Sequence, residues 1–328
     1  YSRVAIDMNI ALFFALFGTW LWLKGSRKSW SYILASIVLG VAFYSYHASK
    51  IWVILFSVCL LIFTWNWQKV RIQLLALLLL LCLTLPYWWQ LKTTQIGLRP
   101  YAISVFANQE ELNRDSLLII DDLDHNLWEA KIVHNRRLTR LNQAVNGYLG
   151  IFNPQIYFAQ SRSNQISLTR LFYLWQLPLL FVGLALVFRQ RRLFGLLVAW
   201  WLIGAISGGL TTFAPLDRRV LLISFPLLFF IATGFRVIVA KINGLPFMSK
   251  MIRVLIVLFI AGSFYIYHHI YFIHGQNEVV DIWGNGMKQV VEITKAQKSK
   301  YEDVFVSLKL NQTLTFFLYY EQYPPANY

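Results

Sequence analysis

Charge is what this chain has least of. Only 14% of its 328 residues are charged, where soluble domains carry about a quarter, and that shortfall excludes an ordinary soluble globular fold. Acids are the scarcer sign, with 15 Asp and Glu against 30 Lys and Arg. Cysteine is nearly missing. Its two copies, Cys59 and Cys82, both lie in apolar runs, which argues against a disulfide framework and makes each read as a small hydrophobe. The signatures of soluble enzymes are missing as well: there is no Walker loop, no dinucleotide glycine pattern, no HExxH and no GxSxG. No internal repeat or low-complexity tract is visible. The chain opens on Tyr1 with no basic-plus-apolar leader, so a trimmed or incomplete product is expected.

What fills the space is apolar. Hydrophobic residues make up 57% of the chain and the mean hydropathy is +0.51, which places it in the membrane class. Thirteen Trp and seventeen Tyr suit rings seated at headgroup level on both membrane faces. A spanning helix needs about 20 mostly apolar residues. Eight segments are expected to span: 5–23, 30–47, 51–67, 71–89, 172–188, 193–210, 219–239 and 253–272. Four connections, at 24–28, 68–71, 189–192 and 236–253, carry twelve Lys and Arg and no acid. Lys and Arg bias in short loops sets orientation, so these four are expected in the cytoplasm. The net charge of +15 is thereby read as orientation signal, with no nucleic acid as partner.

The opposite, non-cytoplasmic side then receives the turn at 44–50, the polar segment 90–171 and the tail from 273. The expected fold is an all-α polytopic membrane protein with about eight spanning helices, a long external loop and a small α/β external C-terminal module. Its parts are 1–89 (first membrane helices), 90–171 (external loop with surface helix), 172–272 (second membrane group) and 273–328 (C-terminal module). Within the loop, over 126–148, Leu127, Ile132, Leu138, Leu141 and Val145 follow a helical spacing with cations between them, the pattern of an amphipathic helix lying on the membrane. The tail predicts a helix at 286–298, a short β-like run at 303–307 and a second helix at 312–320.

Chemistry is expected on the same external side. All six His fall there (His47, His125, His134, His268, His269 and His274), with Lys50, Arg136, Arg137, Arg218 and Arg219 beside them. Arg holds a phosphate bidentately and Lys acts as a point charge. Ordinary snorkelling and headgroup contact would use the same cations. The Arg218–Arg219 pair favours function, because it sits on the side where the orientation rule disfavours positive charge. At helical spacing Tyr46 shares a face with Lys50, and Tyr44 with His47, a set that can grip a phosphate or a sugar and can equally form an aromatic belt. Arg3 and Asp7 can pair at i,i+4. Asp121, Asp122 and Asp124 with His125 could bind a hard cation, although acid-rich loops are commonly just solvated.

Taken in order, several segments resemble one family. They are Ser2-Arg3-Val4-Ala5 through Asn9-Ile10-Ala11-Leu12-Phe13-Phe14, Tyr44-Ser45-Tyr46-His47-Ala48-Ser49-Lys50, His134-Asn135-Arg136-Arg137-Leu138, Tyr148 to Phe158, Leu210 to Arg219, and Trp283-Gly284-Asn285-Gly286 with Phe317-Leu318-Tyr319-Tyr320. Together they are similar to the membrane glycosyltransferases related to protein O-mannosyltransferases and lipid A aminoarabinose transferases (glycosyltransferase family 39, GT-C fold). The resemblance implies inverting transfer of a sugar from a polyprenyl-phosphate donor to a glycan, lipid or protein acceptor at the outer face of a plasma (inner) membrane. It implies a phosphate end made by Lys50, His134, Arg136, Arg137, Arg218 and Arg219, sugar or phosphate contacts from Tyr44, Tyr46 and His47, and a divalent metal ion as the one candidate cofactor. The family's catalytic carboxylate belongs to a loop upstream of Tyr1, so this chain is expected to lack it. Leu216 stands where the family has His, and Lys50 where it has Arg. A transporter or flippase of lipid-linked sugars, or a lipid-linked glycan polymerase or ligase, are the alternatives. The transporter would need ionisable residues deep in the membrane, and the eight segments hold almost none at mid-depth.

Overall fold

The computed structural model describes the chain at residues 7–94, 104–107, 109–125, 127, 132, 134–158, 171–211, 221–243, 248–275, 286–301, 303, 305, 306 and 313–324. Among these residues 85% are helical and none is in a strand. The all-α expectation therefore holds there. One isolated bridge joins Ser104 to Thr211. The β-like run expected at 303–307 shows no strand at 303, 305 or 306, and 304 and 307 lie outside the described residues.

Each of the eight apolar segments falls on a helix. Four helices are long and apolar enough to cross a membrane: Val70–Thr93, Arg191–Gly209, Leu221–Ile242 and Lys250–His274. Those at Met8–Lys24, Trp30–Ser45, His47–Phe63 and Leu174–Phe188 are equally apolar in character and shorter. Helix is the form such segments must take, since a backbone surrounded by hydrocarbon can bond only to itself.

By packing, the chain divides into two units, Tyr1–Ala159 with Leu171–Lys241, and Gln160–Arg170 with Ile242–Tyr328. The first unit holds α1 (Asp7–Lys24), α2 (Trp30–Ser45), α3 (His47–Phe63), α4 (Val70–Thr93), α5 (Gln109–Asp124), α6 (Arg136–Gly150), α7 (Pro154–Phe158), α8 (Leu177–Phe188), α9 (Arg191–Gly209) and nearly all of α10 (Ser224–Asn243). Its core is aromatic. Trp52, Phe56 and Trp200 are fully enclosed, and the two indoles meet at 4.4 Å across the α3–α9 seam. Small residues let backbones approach. A Cβ on Gly183 of α8 would stand 1.8 Å from the Phe230 carbonyl oxygen, and one on Gly234 of α10 would stand 2.1 Å from that of Leu179, the close crossing that glycine alone permits in membrane bundles.

The two ends of this unit differ in chemistry. At one end the basic connections converge. Lys69 Nζ donates to the carbonyls of Ser26 at 2.7 Å and Gly25 at 3.3 Å, and Gly195, just inside α9, packs against Phe63 at the end of α3. Gln73, fully buried, ties the same end by donating to Tyr32 Oη and the Thr64 carbonyl. At the other end Gly209 closes α9 so tightly on α6 that its Cβ would lie 2.6 Å from Tyr148 Cα. The Val105 amide reaches the Leu210 carbonyl there.

The second unit contains α11 (Met248–His269), a π-helical turn (Ile270–His274), α12 (Met287–Gln297) and α13 (Thr313–Tyr320). Gly286, at φ +86°, starts α12 from the left-handed region that favours glycine. The two tail helices sit within a residue of their expected bounds, and Met287, Val291 and Thr313 are buried there.

Candidate functional site

Three side chains named from sequence gather with Lys50 around one corner. Tyr46 is extended, at φ −152° and ψ 148°, and it alone separates α2 from α3. Nothing in its neighbourhood is glycine or proline; hydroxyls hold the break instead. Ser49 Oγ donates toward the carbonyls of Ala42 at 2.6 Å and Tyr46 at 2.7 Å, and Ser45 Oγ bonds that of Val41. The Ala42 carbonyl, in the last turn of α2, thus finds a donor. The corner turns the Tyr46 ring onto His47, with centroids 4.1 Å apart.

Lys50 points back across this corner. Its Nζ donates to the Tyr46 carbonyl at 3.4 Å and stands 4.9 Å from the Tyr87 ring and 5.6 Å from that of Phe43. Aromatic faces attract an ammonium at these distances. One of its three N–H groups is committed to Tyr46, so an anion can be met without leaving the rings. The Tyr44 hydroxyl donates to the Leu83 carbonyl at 2.9 Å. Pro86, inside the same helix α4, removes the amide that would have bonded the Cys82 carbonyl, one residue before Leu83.

His134 and Arg136 form a second group, clasped to α5. His134 Nε2 lies 3.1 Å from Asp122 Oδ2, each side chain 24% exposed. Arg136 Nη2 donates to Ser116 Oγ at 2.8 Å. Asn135 caps α6 by accepting the Arg137 amide at 2.9 Å. That is why α6 starts at Arg136; of the stretch before it, residues 126, 128–131 and 133 lie outside the described residues. The Arg137 side chain is exposed. Along α6, Leu138, Leu141, Val145 and Leu149 are all exposed at helical spacing, and Leu117, Ile120 and Leu123 of α5 are exposed likewise.

Two of the acids near His125 have separate partners. Asp121 engages His125, whose Nδ1 lies 2.8 Å from the Asp121 carbonyl oxygen, while Asp122 engages His134. No group of three or more His, Cys, Asp or Glu assembles among the described residues. Arg218 and Arg219, with Leu216 and Asp217 before them, and Arg3 lie outside the described residues. Cys59 and Cys82 are both free thiols.

Sequence reasoning missed Tyr87 and Ser116. Tyr87 reaches Lys50 from a helix that starts twenty residues beyond it, and nothing local advertises that. Ser116 carries no signal of its own. No family model, curated protein or solved structure matches this chain.

Proposed function

We propose that this chain is the membrane-embedded part of a glycosyltransferase of the GT-C type, moving a sugar from a polyprenyl-phosphate donor to an acceptor on the non-cytoplasmic face. In this reading all eight apolar helices span, the basic end of the first unit is cytoplasmic, and 90–171 and the tail are external. The observation that carries it is the corner at Tyr46. It gathers a lysine ammonium, an imidazole and several aromatic faces at the bundle end opposite the basic connections. Such a place suits a lipid phosphate at headgroup depth, with rings that pack against a sugar. Arg218 and Arg219 would add charge to the same leaving phosphate, and α6 would rest on the outer leaflet.

Physically, cations matter most where charge develops, on the phosphate as it departs. Lys50→Ala in the complete protein should lower sugar transfer from a polyprenyl-phosphate donor about a hundredfold, the usual effect of losing one such donor. Lys50→Arg should recover part. Arg27→Ala, on an exposed basic connection at the other end, should stay near normal. Equal behaviour of Lys50→Ala and Arg27→Ala would reject the corner as the phosphate site.

A further inference from the structure

The last apolar helix does not finish as an α-helix. From Ile270 to His274 it widens into a π-helical turn. An α-helix advances about 100° per residue, so side chains five apart stand roughly 140° round from each other. A π turn, with its i→i+5 repeat, closes most of that gap, and such turns recur at functional sites. Here the consequence is specific. His269 and His274 bring their Nε2 atoms to 3.3 Å, with ring centroids 5.1 Å apart and planes inclined at 64°.

We infer that His269 and His274 form a two-imidazole site for a divalent first-row transition metal ion, of the Zn²⁺ class, on the terminal turn of this helix. Two nitrogens each about 2.0–2.1 Å from a tetrahedral ion stand about 3.3–3.4 Å apart, which is the separation the turn imposes. With no ion present, one Nε2 carries a proton and donates it to the other. The ion takes the place of that proton between the two Nε2 atoms, and the donor ring shifts its proton to Nδ1, so both ligands are neutral imidazoles that acid can protonate and detach. Imidazole donors suit Zn²⁺, Cu²⁺ and Ni²⁺, with Cu²⁺ the tightest.

The surroundings favour these two rings over their neighbour. Tyr265 stacks on His269 one turn earlier, inclined at 28°. His268, adjacent in sequence, is turned onto Phe272 at 4.5 Å and takes no part. His274 is exposed, so an ion can arrive from solvent. Two protein ligands leave the remaining positions to water or to an oxygen of a bound molecule. The inference is independent of the glycosyltransferase reading.

The test is direct binding to the full chain, purified without a polyhistidine tag and held in lipid nanodiscs. Zn²⁺ titrated calorimetrically at about neutral pH should bind with one equivalent per chain and be released on acidification to about pH 5. His269→Gln and His274→Gln should each weaken binding at least about tenfold, whereas His268→Gln should leave it unchanged. Size-exclusion chromatography checks that the variants remain folded; Gln is tolerated at this solvent-facing turn. Co²⁺ in place of Zn²⁺ should give visible absorption bands that either substitution abolishes. No Zn²⁺ uptake, or uptake that survives the double substitution, overturns the site and leaves the pair as a hydrogen bond. Equal loss in His268→Gln also overturns it, since it would mark adventitious chelation by any histidine at the helix end.

Discussion

Tyr157 is buried almost completely, and its hydroxyl donates to the Ile151 carbonyl at 2.8 Å. Tyr157→Phe keeps the ring and strands that carbonyl, so unfolding in detergent should show a loss of about 1–3 kcal/mol. Burial also pushes the phenol's pKa up from its usual value near 10. The sign follows from which state releases its proton first. Above about pH 10 the unfolded chain ionises this group while the folded chain keeps it neutral, so stability falls as pH rises further. Below that pH the group contributes no slope. A thermal melt series on the alkaline side should be steeper for the natural chain than for Tyr157→Phe. At this scale the sequence was informative about polarity and silent about partners. Spacing alone puts Tyr46 on one helical face with Lys50 and Tyr44 on one with His47, whereas the extended backbone at Tyr46 divides these residues between two helices. The rings of Phe43 and Tyr87 against Lys50 depend on how α2, α3 and α4 pack. The break at Tyr46 carries no glycine or proline to announce it.

Helices were the most legible feature, because apolar length and polar punctuation reflect the same demand that backbone groups bond internally away from water. Where two helices approach is harder to read. Glycine marks both close crossings and ordinary turns, and only packing distinguishes them. Gly183→Ala would place a methyl carbon against the Phe230 carbonyl, so α8 and α10 would have to separate. Overpacking of this kind costs about 1–3 kcal/mol. A cysteine-free background with thermal unfolding followed by aggregation should show that loss. Gly262→Ala, where nothing lies within 4 Å, is the matched control and should be neutral or slightly stabilising through helix propensity. An equal loss in both would mean that the crossing of α8 and α10 bears no load. The clasp between α5 and α6 was invisible beforehand: its contacts, His134 with Asp122 and Arg136 with Ser116, join residues whose separation follows no regular spacing.

Over the whole molecule, Lys and Arg in short connections are an orientation signal, and within the first unit two of these connections meet, where Lys69 contacts the one that carries Arg27 and Lys28. On our reading this end is cytoplasmic and the tail is not. A reporter that works only outside the cytoplasm, fused after Tyr328, should be active, and activity of a cytoplasm-only reporter there would invert the map. Membrane class and helical fold were thus open to sequence because composition acts on the entire chain at once. Catalytic detail was not, because it depends on a few atoms brought together from distant helices.

The first three helices of the bundle are short, at 18, 16 and 17 residues. At 1.5 Å per residue each reaches only about 24–27 Å, less than the roughly 30 Å of a typical hydrocarbon core. If they span, hydrophobic mismatch must be met by lipids thinning around this side of the protein. The outer leaflet would dimple toward the Tyr46 corner, lowering headgroups to the depth of Lys50 without any movement of the protein. Bilayers of shorter acyl chains should therefore stabilise the folded chain more than thick ones, and a melting temperature insensitive to chain length would mean that these helices lie otherwise in the membrane.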